Sequence, residues 1–414
     1  MPPTNLDDAS LLELVQRQTF RYFWEFCHKR SGLARDRSNF GAGESNLVTT
    51  GGSGFGVMAV IVAVERGWVT RAAGVGRLLK VTKFLLSADS FHGMLPHRLD
   101  GETGRPIRFD RKDDGGDLVE TAFLLAGLLC ARQYFDRASA PERELRAHIT
   151  KLWEEAEWSW HTRGGSNALY WHWSPNHGWS MNFEIRGWNE CLIAYVLAAS
   201  SPRYPIDPGV YHRGWAEGRN FKNRRNYYGI ELPLGPDYGG PLFFAHYSFL
   251  GLDPRGLKDR YADYWVQNVN HTRIHREHCM RNPNGFKGYG ANCWGLTASD
   301  GPKGYDGFAP DRDFGVIAPT AALSSMPYAP EHSMAALRHF YEDMGKRLWR
   351  KYGFVDAFCE AQDWYAASHL AIDQGPIIVM IENHRSALLW RLFMSCPDIQ
   401  NGLRRLGFES PHLA

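Results

Sequence analysis

Apolar positions along this chain recur at helical rather than strand spacing. After Ser10, paired with Glu13 as a capping box, Leu14, Val15, Phe20, Phe23 and Trp24 follow at mostly helical intervals, with Gly32 beyond the end. The glycine-rich run Thr49-Thr50-Gly51-Gly52-Ser53-Gly54-Phe55-Gly56 leads into the apolar segment 57–65. The same periodicity predicts helices over 72–87, 116–136, 141–161, 189–200, 257–282, 330–352 and 376–396. Long aromatic, Gly/Pro-rich segments separate them at 163–188, 204–240 and 283–318. Strand alternation is scarce and no β-α-β rhythm is present. The expectation is an all-α toroid of paired helices whose loops gather into a site at one end. No internal repeat or low-complexity linker interrupts residues 1–414, so a single domain is expected.

Composition narrows the function. Lysine plus arginine number 47 against 45 acidic residues, a net charge of +2, and no basic block or stripe occurs. Nucleic acid and anionic membrane are therefore poor partners. The charge-free run between Glu44 and Glu65 carries four glycines and several Thr and Ser, which makes a poor membrane span. Seven scattered cysteines without a C-x-x-C pair read as reduced thiols, not as a disulfide framework or zinc site. The N-terminus shows no basic region followed by an apolar stretch. A soluble, cytoplasmic protein is expected, periplasmic if an export signal is missing. Oligomeric state is not legible.

Three acidic sites carry candidate chemistry. Lys112-Asp113-Asp114-Gly115-Gly116-Asp117-Leu118-Val119-Glu120-Thr121 packs four carboxylates in front of an apolar helix. Asp117 and Glu120, three apart, share one face if that helix begins near Gly116. The cluster suits acid–base work on a neutral, hydroxyl-rich substrate, although first-turn acids also serve as ordinary caps. The loop from Ala168 through Tyr170, Trp171, His172, Trp173, Ser174 and Pro175 to Trp179, Glu184, Trp188 and Asn189 mixes aromatic faces with short polar groups, as sugar-binding surfaces do. Glu190 closes it, and a carboxyl screened by aromatics acquires the raised pKa a general acid needs. Asp373, beside Gly375 and Pro376, stands at a third helix entrance. Such carboxylates fit the acid-and-base logic of glycoside hydrolysis.

Competing motifs are weaker. The glycine run lacks a G-K-[ST] ending and a preceding strand, so close helix packing is favoured over nucleotide binding. His271, His275 and His278 could face one metal from a helix, but intervening Arg273 and Arg276 suit a solvated face. No G-x-S-x-G elbow occurs. His246 reads as a core or supporting histidine with a sugar contact as the alternative.

Together, Thr50–Gly56, Asp113–Thr121, Leu169-Tyr170-Trp171-His172-Trp173-Ser174-Pro175, Gly187-Trp188-Asn189-Glu190-Cys191, Phe244–Gly251, Cys293–Asp300, Ala318–Ala322 and Ala371–Pro376 resemble glycoside hydrolase family 144, the bacterial β-1,2-glucanases once labelled glucoamylase-like. The resemblance runs from about Phe20 to Phe408 and implies an (α/α)6 barrel and metal- and cofactor-independent, inverting cleavage of β-1,2-linked glucose. By position, Glu190 is similar to the family's general acid, and Asp113, Asp117, Glu120 and Asp373 to its acidic positions important for activity. The expectation is that Glu190 protonates the leaving oxygen while Asp117, or Asp113, activates water directly or by relay, with Asp373 in reserve. Glu120, Trp171, Trp173, Trp188, His246 and Asp300 are expected to bind sugar. Pro96-His97-Arg98 departs from the pattern, with arginine where an aromatic is expected. Exo-action, transglycosylation and a non-catalytic β-glucan-binding role are the alternatives.

Overall fold

The computed structural model describes residues 5–39 and 46–413. Residues 1–4 of the N-terminal stretch and Glu44, one edge of the charge-free run, lie outside them. The protein is mostly helical. Its helices are α1 (Asp8–Glu25), α2 (Thr50–Glu65), α3 (Arg71–Leu85), α4 (Leu118–Tyr134), α5 (Ala140–Glu155), α6 (Leu192–Ser200), α7 (Tyr264–Arg281), α8 (Pro319–Leu323), α9 (Pro330–Arg338), α10 (Gly345–Leu348), α11 (Ala371–Ser386), α12 (Leu388–Met394) and α13 (Pro397–Arg405). Short antiparallel ladders tie the intervening loops together. Those used below are β1 (Leu47–Thr49), β2 (Arg98–Asp100), β3 (Pro106–Ile107), β4 (Gly116–Asp117), β5 (Leu169–Tyr170), β6 (His172–Trp173) and β7 (Glu184–Ile185). β1–β2–β3 form one sheet, while β4 pairs with β6 and β5 with β7.

The core is built around α2, which packs on α4 and α11; α11 in turn packs on α1. α2 and α4 are apolar on nearly every face, so both are enclosed rather than laid on a surface. The glycine run explains how they approach. A Cβ at Gly54 would collide with the Phe123 carbonyl oxygen and lie 2.5 Å from Leu124 Cα, while one at Gly127 would collide with the Gly54 carbonyl. Glycines here remove side-chain bulk between two helices. They form the body of a helix and not a phosphate loop, although a short strand, β1, which the periodicity did not show, does directly precede them.

Several boundaries differ from the periodic reading, each for a local reason. The α1 cap is Asp7, whose carboxylate accepts the Ser10 N–H at 2.7 Å, in place of Ser10 itself. Asp263 caps α7 by accepting the N–H groups of Trp265 and Val266, so that helix starts well after residue 257. α5 ends at Glu155, and a separate tight turn covers Trp158–Thr162. Beyond α9 the chain widens through His339–Asp343 before α10. α11 begins at Ala371, with Pro376 inside it, and stops where Ala387 turns left-handed at φ 56°. Asn383 Oδ1 then accepts the N–H groups of Leu389 and Trp390, opening α12.

The α2–α4 approach predicts that Gly54→Ala will destabilise the fold by about 3 kcal/mol, the upper end for overpacking. Denaturant titration of the variant checks this; an unchanged midpoint would mean the helices can separate without loss.

Candidate active site

Asp117 ends β4 and caps α4, and its neighbours explain the rest of the site. Its Oδ1 accepts the N–H groups of Val119 and Glu120, each at 2.9 Å. Its Oδ2 accepts Trp171 Nε1–H at 3.1 Å and lies 3.1 Å from His172 Nε2 and 3.5 Å from His97 Nδ1. His172 also reaches Asp113 at 3.2 Å. The β4–β6 ladder, with Asp117 opposite His172, sets this encounter. Burial opposes charge on every member, yet the pairing wins. His172 is pushed up to about 10 by Asp117 and Asp113 despite its burial. His97 is pushed up to about 9, chiefly by Glu120 and Asp117, against the same opposition. Burial would raise Asp117, but the two imidazoliums hold it far below the usual carboxylate range. Asp117 is therefore both a helix cap and a charge anchor.

Ligand atoms of His97, Asp113 and Asp117 lie within 4.8 Å of one another, a spacing that admits a cation. The imidazolium of His172, close against both carboxylates, already supplies that positive charge. A metal would have to displace it.

A cavity of about 360 Å³ opens beside this network, lined by Glu190, Glu120, His97, Trp171, Tyr247 and Tyr305 among others. Phe109 also lines it and stacks on His97 at 4.0 Å and 12°. The Arg98 guanidinium sits 4.6 Å from the Phe109 ring centroid and 2.9 Å from Asp36. This arginine, the departure noted in the sequence, thus holds an aromatic in place over the cavity. Glu120, near the base, accepts the Gly51 N–H at 2.7 Å, and burial raises its carboxyl.

Glu190 lies in the turn before α6, not within the helix. Asn189 Oδ1 accepts the Cys191 N–H and the Glu190 carbonyl accepts Ser248 Oγ–H, fixing the backbone. Burial first, then the charges of Glu120 and Asp117, push its carboxyl up to about 7. Among the described residues no cation offsets that effect, in contrast to Asp117.

A second acidic group lies beneath Tyr247. Asp373, in the first turn of α11, accepts Tyr247 Oη–H at 3.3 Å through Oδ1. Its Oδ2 is buried with no geometric hydrogen bond among the described residues, and its carboxyl meets that of Asp356 side chain to side chain. Burial raises both carboxyls; the charge of Asp300 adds to it at Asp356, which is pushed up to about 7, and the charge and hydrogen bond of Asp356 add to it at Asp373, so the pair retains a proton near neutrality. Asp356 Oδ2 accepts the Asp300 N–H at 2.7 Å, and the Asp300 carboxylate pairs with Arg37 at 3.3 Å and accepts Ser368 Oγ–H. Asp300 thus supports Arg37, which lines the cavity.

Asp300, expected to bind sugar, instead backs Arg37 outside the cavity lining, and three further expected sugar contacts need correction. Trp188 is 3% exposed and packs among Trp215, Phe249 and Tyr264. It is core, despite its polar sequence neighbours. His246 is buried, hydrogen-bonded to Ser325 Oγ at 3.0 Å and stacked with Tyr328; burial lowers it to about 3, so it stays neutral and away from the cavity. Trp173 turns toward Phe91, His92 and Trp160, outside the cavity lining. The His271, His275 and His278 face is likewise buried, not solvated: the first two both donate to the Gly240 carbonyl, at 2.9 and 2.8 Å, and His278 joins Asp313 and Tyr228. Conversely, sequence reasoning missed Asp356, Arg37, Phe109, Tyr247 and Tyr305. Asp356, an acid between Val355 and Ala357, was the detectable signal.

The Glu190 shift carries a stability consequence. Its folded pKa, about 7, exceeds the ordinary 4.5. Below pH 4.5 both folded and unfolded chains hold the proton, so nothing is lost. As pH rises toward 7 only the unfolded chain releases it, and stability falls. At ~1.4 kcal/mol per unit, reduced because Glu190 borders the cavity, Glu190→Gln is expected to stabilise the fold by about 2 kcal/mol at pH 8 and by nothing at pH 4. Denaturant titrations at both pH values check it.

Comparison with known proteins follows the same lines. Residues 182–397 match the model of a family described as "Putative glucoamylase". The chain is 45% identical, over 97% of its own length, to the exo β-1,2-glucooligosaccharide sophorohydrolase (non-reducing end) of Parabacteroides distasonis. It spans 58% of that relative's length. A "putative glucoamylase" structure from Bacteroides uniformis superposes with a TM-score of 0.98, at 59% identity and complete coverage of both chains. The endo-β-1,2-glucanase of Chitinophaga pinensis, solved with sophorotriose and glucose, gives 0.96 at 54% identity, covering 99% of this chain and all of that one.

Proposed function

The chain belongs to the glucoamylase-like family, and on that premise we propose that it is a glycoside hydrolase of family 144 that cleaves β-1,2-glucosidic bonds in β-1,2-glucan or its oligosaccharides. The observation that carries this reading is Glu190, a carboxyl that keeps its proton near neutral pH on the wall of an aromatic-lined cavity. A group so placed serves as general acid to the leaving glycosidic oxygen. The names of two similar proteins, a β-1,2-glucooligosaccharide sophorohydrolase and an endo-β-1,2-glucanase, support the linkage. The helix packing is read as an (α/α)6 barrel, in keeping with the nested contacts of α1, α2, α4 and α11.

The base role is assigned to Asp373 in preference to Asp117 or Asp113. Asp117 already accepts three hydrogen bonds, is ion-paired with His172 and is held strongly acidic, which leaves it a poor proton acceptor. Asp113 is engaged with His172. Asp373 instead belongs to a pair that holds one proton between two carboxyls, so the charge left on the pair can accept another, and it touches the cavity wall through Tyr247, a route by which a hydroxyl can relay a proton. Acid and base acting without a covalent intermediate would invert the anomeric centre. Asp117 and its imidazoliums orient Trp171 and balance the field beneath Glu120.

Endo cleavage is the primary reading, supported by the 54% identity and full coverage of the C. pinensis endo-enzyme. Exo release of disaccharide is the second, favoured by the name of the P. distasonis relative. Chromatography of products from linear β-1,2-glucan separates them: a ladder of oligomers supports endo action, and a lone disaccharide supports exo. Glu190→Gln should reduce kcat by 10²-fold or more on an unactivated substrate, the range for losing general acid catalysis. Retained binding without turnover by the wild type would indicate a binding protein, and chain-lengthened products would indicate transglycosylation.

The pH profile of kcat/KM is expected to be bell-shaped. Its alkaline limb should fall from about pH 7 upward, as Glu190 loses its proton. A flat profile from pH 6 to 9 would overturn the acid assignment.

A further inference from the structure

A second cavity, of about 400 Å³, adjoins the first and shares Tyr305 with it. Phe286, Phe308 and Phe314 supply its aromatic faces, with Lys303, Asp306 and Gln362 among its polar lining. We propose that this second cavity is a distal subsite for the same substrate, in which Tyr305 and Phe314 hold glucosyl units remote from the bond being cleaved. The inference rests on the β-1,2-glucan reading and goes beyond it by assigning where the far part of the chain lies.

Three observations carry it. The first is continuity, since one side chain lines both cavities, so a chain passing Tyr305 leaves one and enters the other. The second is exposure. Seven large apolar side chains are exposed among the described residues, and Phe109, Phe183, Tyr305 and Phe314, at 50–55%, are the four most exposed. Phe109 and Tyr305 line the first cavity, Phe314 lines the second, and Phe183 stacks on the cavity residue Trp171 at 5.2 Å and 11°. Such exposure costs hydration free energy and marks binding surface where it clusters. The third is construction. Gly301 and Gly304 exchange backbone hydrogen bonds at 2.9 and 3.0 Å, and Gly304 adopts φ 113°, a conformation that requires glycine. This tight turn presents Tyr305 at the junction, and the Asp306–Arg312 ion pair braces its far side.

The occupant follows from the chemistry. Aromatic faces interleaved with an ammonium, a carboxylate and an amide match alternating apolar ring faces and hydroxyls. A purely apolar ligand would cover the Lys303 ammonium and the Gln362 amide without giving them partners.

Phe314 touches only the second cavity, so its removal reads that cavity alone. Phe314→Ala should lower kcat/KM about tenfold on polymeric β-1,2-glucan relative to the shortest oligomer cleaved, mainly through KM, and Phe314→Trp should restore the ratio. An equal loss on every chain length, or an unchanged ratio, would overturn the proposal. Calorimetric binding of polymeric β-1,2-glucan to Glu190→Gln, with and without Phe314→Ala, gives a readout that needs no turnover. Affinity lowered by Phe314→Ala supports the subsite even if hydrolysis is not observed; unchanged affinity overturns it while leaving the hydrolase reading intact.

Discussion

The structure turns on a carboxylate with no access to water. Asp117 is fully buried and ionised, a state that costs several kcal/mol unless its lone pairs and charge are met. Both requirements are fulfilled from different parts of the chain. The first turn of α4 contributes two backbone N–H groups, and the 171–172 segment contributes an indole N–H and an imidazolium. His97, one residue before β2, adds a second positive charge. One side chain thereby fixes the start of α4, the orientation of Trp171 and the position of two histidines. Phe183 stacks on the first of these groups and Phe109 on a histidine, so the aromatic walls inherit their placement from the same anchor.

A division of electrostatic labour follows. Around Asp117 every buried anion has a cation within reach, and the carboxylate is held in its charged form. Around Glu190 burial acts without a matching cation among the described residues, and at the Asp356–Asp373 pair burial and neighbouring carboxylates outweigh Arg37, so proton retention prevails. The same residue types thus acquire opposite proton affinities within one cleft, the condition under which carboxyls take separate acid, base and positioning roles. Arg37 stands between the two regimes: it pairs with Asp300, whose charge raises Asp356 while its backbone N–H donates to the same carboxyl.

The sequence carried the helical class, the acidic motif and the three helix-entrance carboxylates, because caps, glycines and charge clusters are local signals. Whether Asp117 is a cap or a functional acid was posed as a choice; the fold makes it a cap and the charge anchor of His172 and His97. Side-chain direction was not local. Trp188 stands between Gly187 and Asn189, a polar setting, yet the turn before α6 sends its ring into the core beside Tyr264, seventy-odd positions away. His271 and His275 had the spacing of a ligand pair, but the left-handed Gly239-Gly240 turn delivers a single carbonyl to both. Asp356 and Arg37 meet only through tertiary packing, and no spacing rule links positions so far apart.

The glycine run closes the physical account. A backbone N–H at the start of a helix is a natural anion site, which is why such a run resembles a phosphate loop. Here the anion is internal: Gly51, in the first turn of α2, donates to Glu120 of α4 at 2.7 Å. A Cβ at Gly51 would sit 2.6 Å from that carboxylate oxygen, and one at Gly54 would drive the two helices apart. The close approach that packs the core is therefore the same approach that seats Glu120 beneath the cavity. Relaxing the helix pair would withdraw the floor of the site, so here core packing and site geometry are selected through one set of contacts.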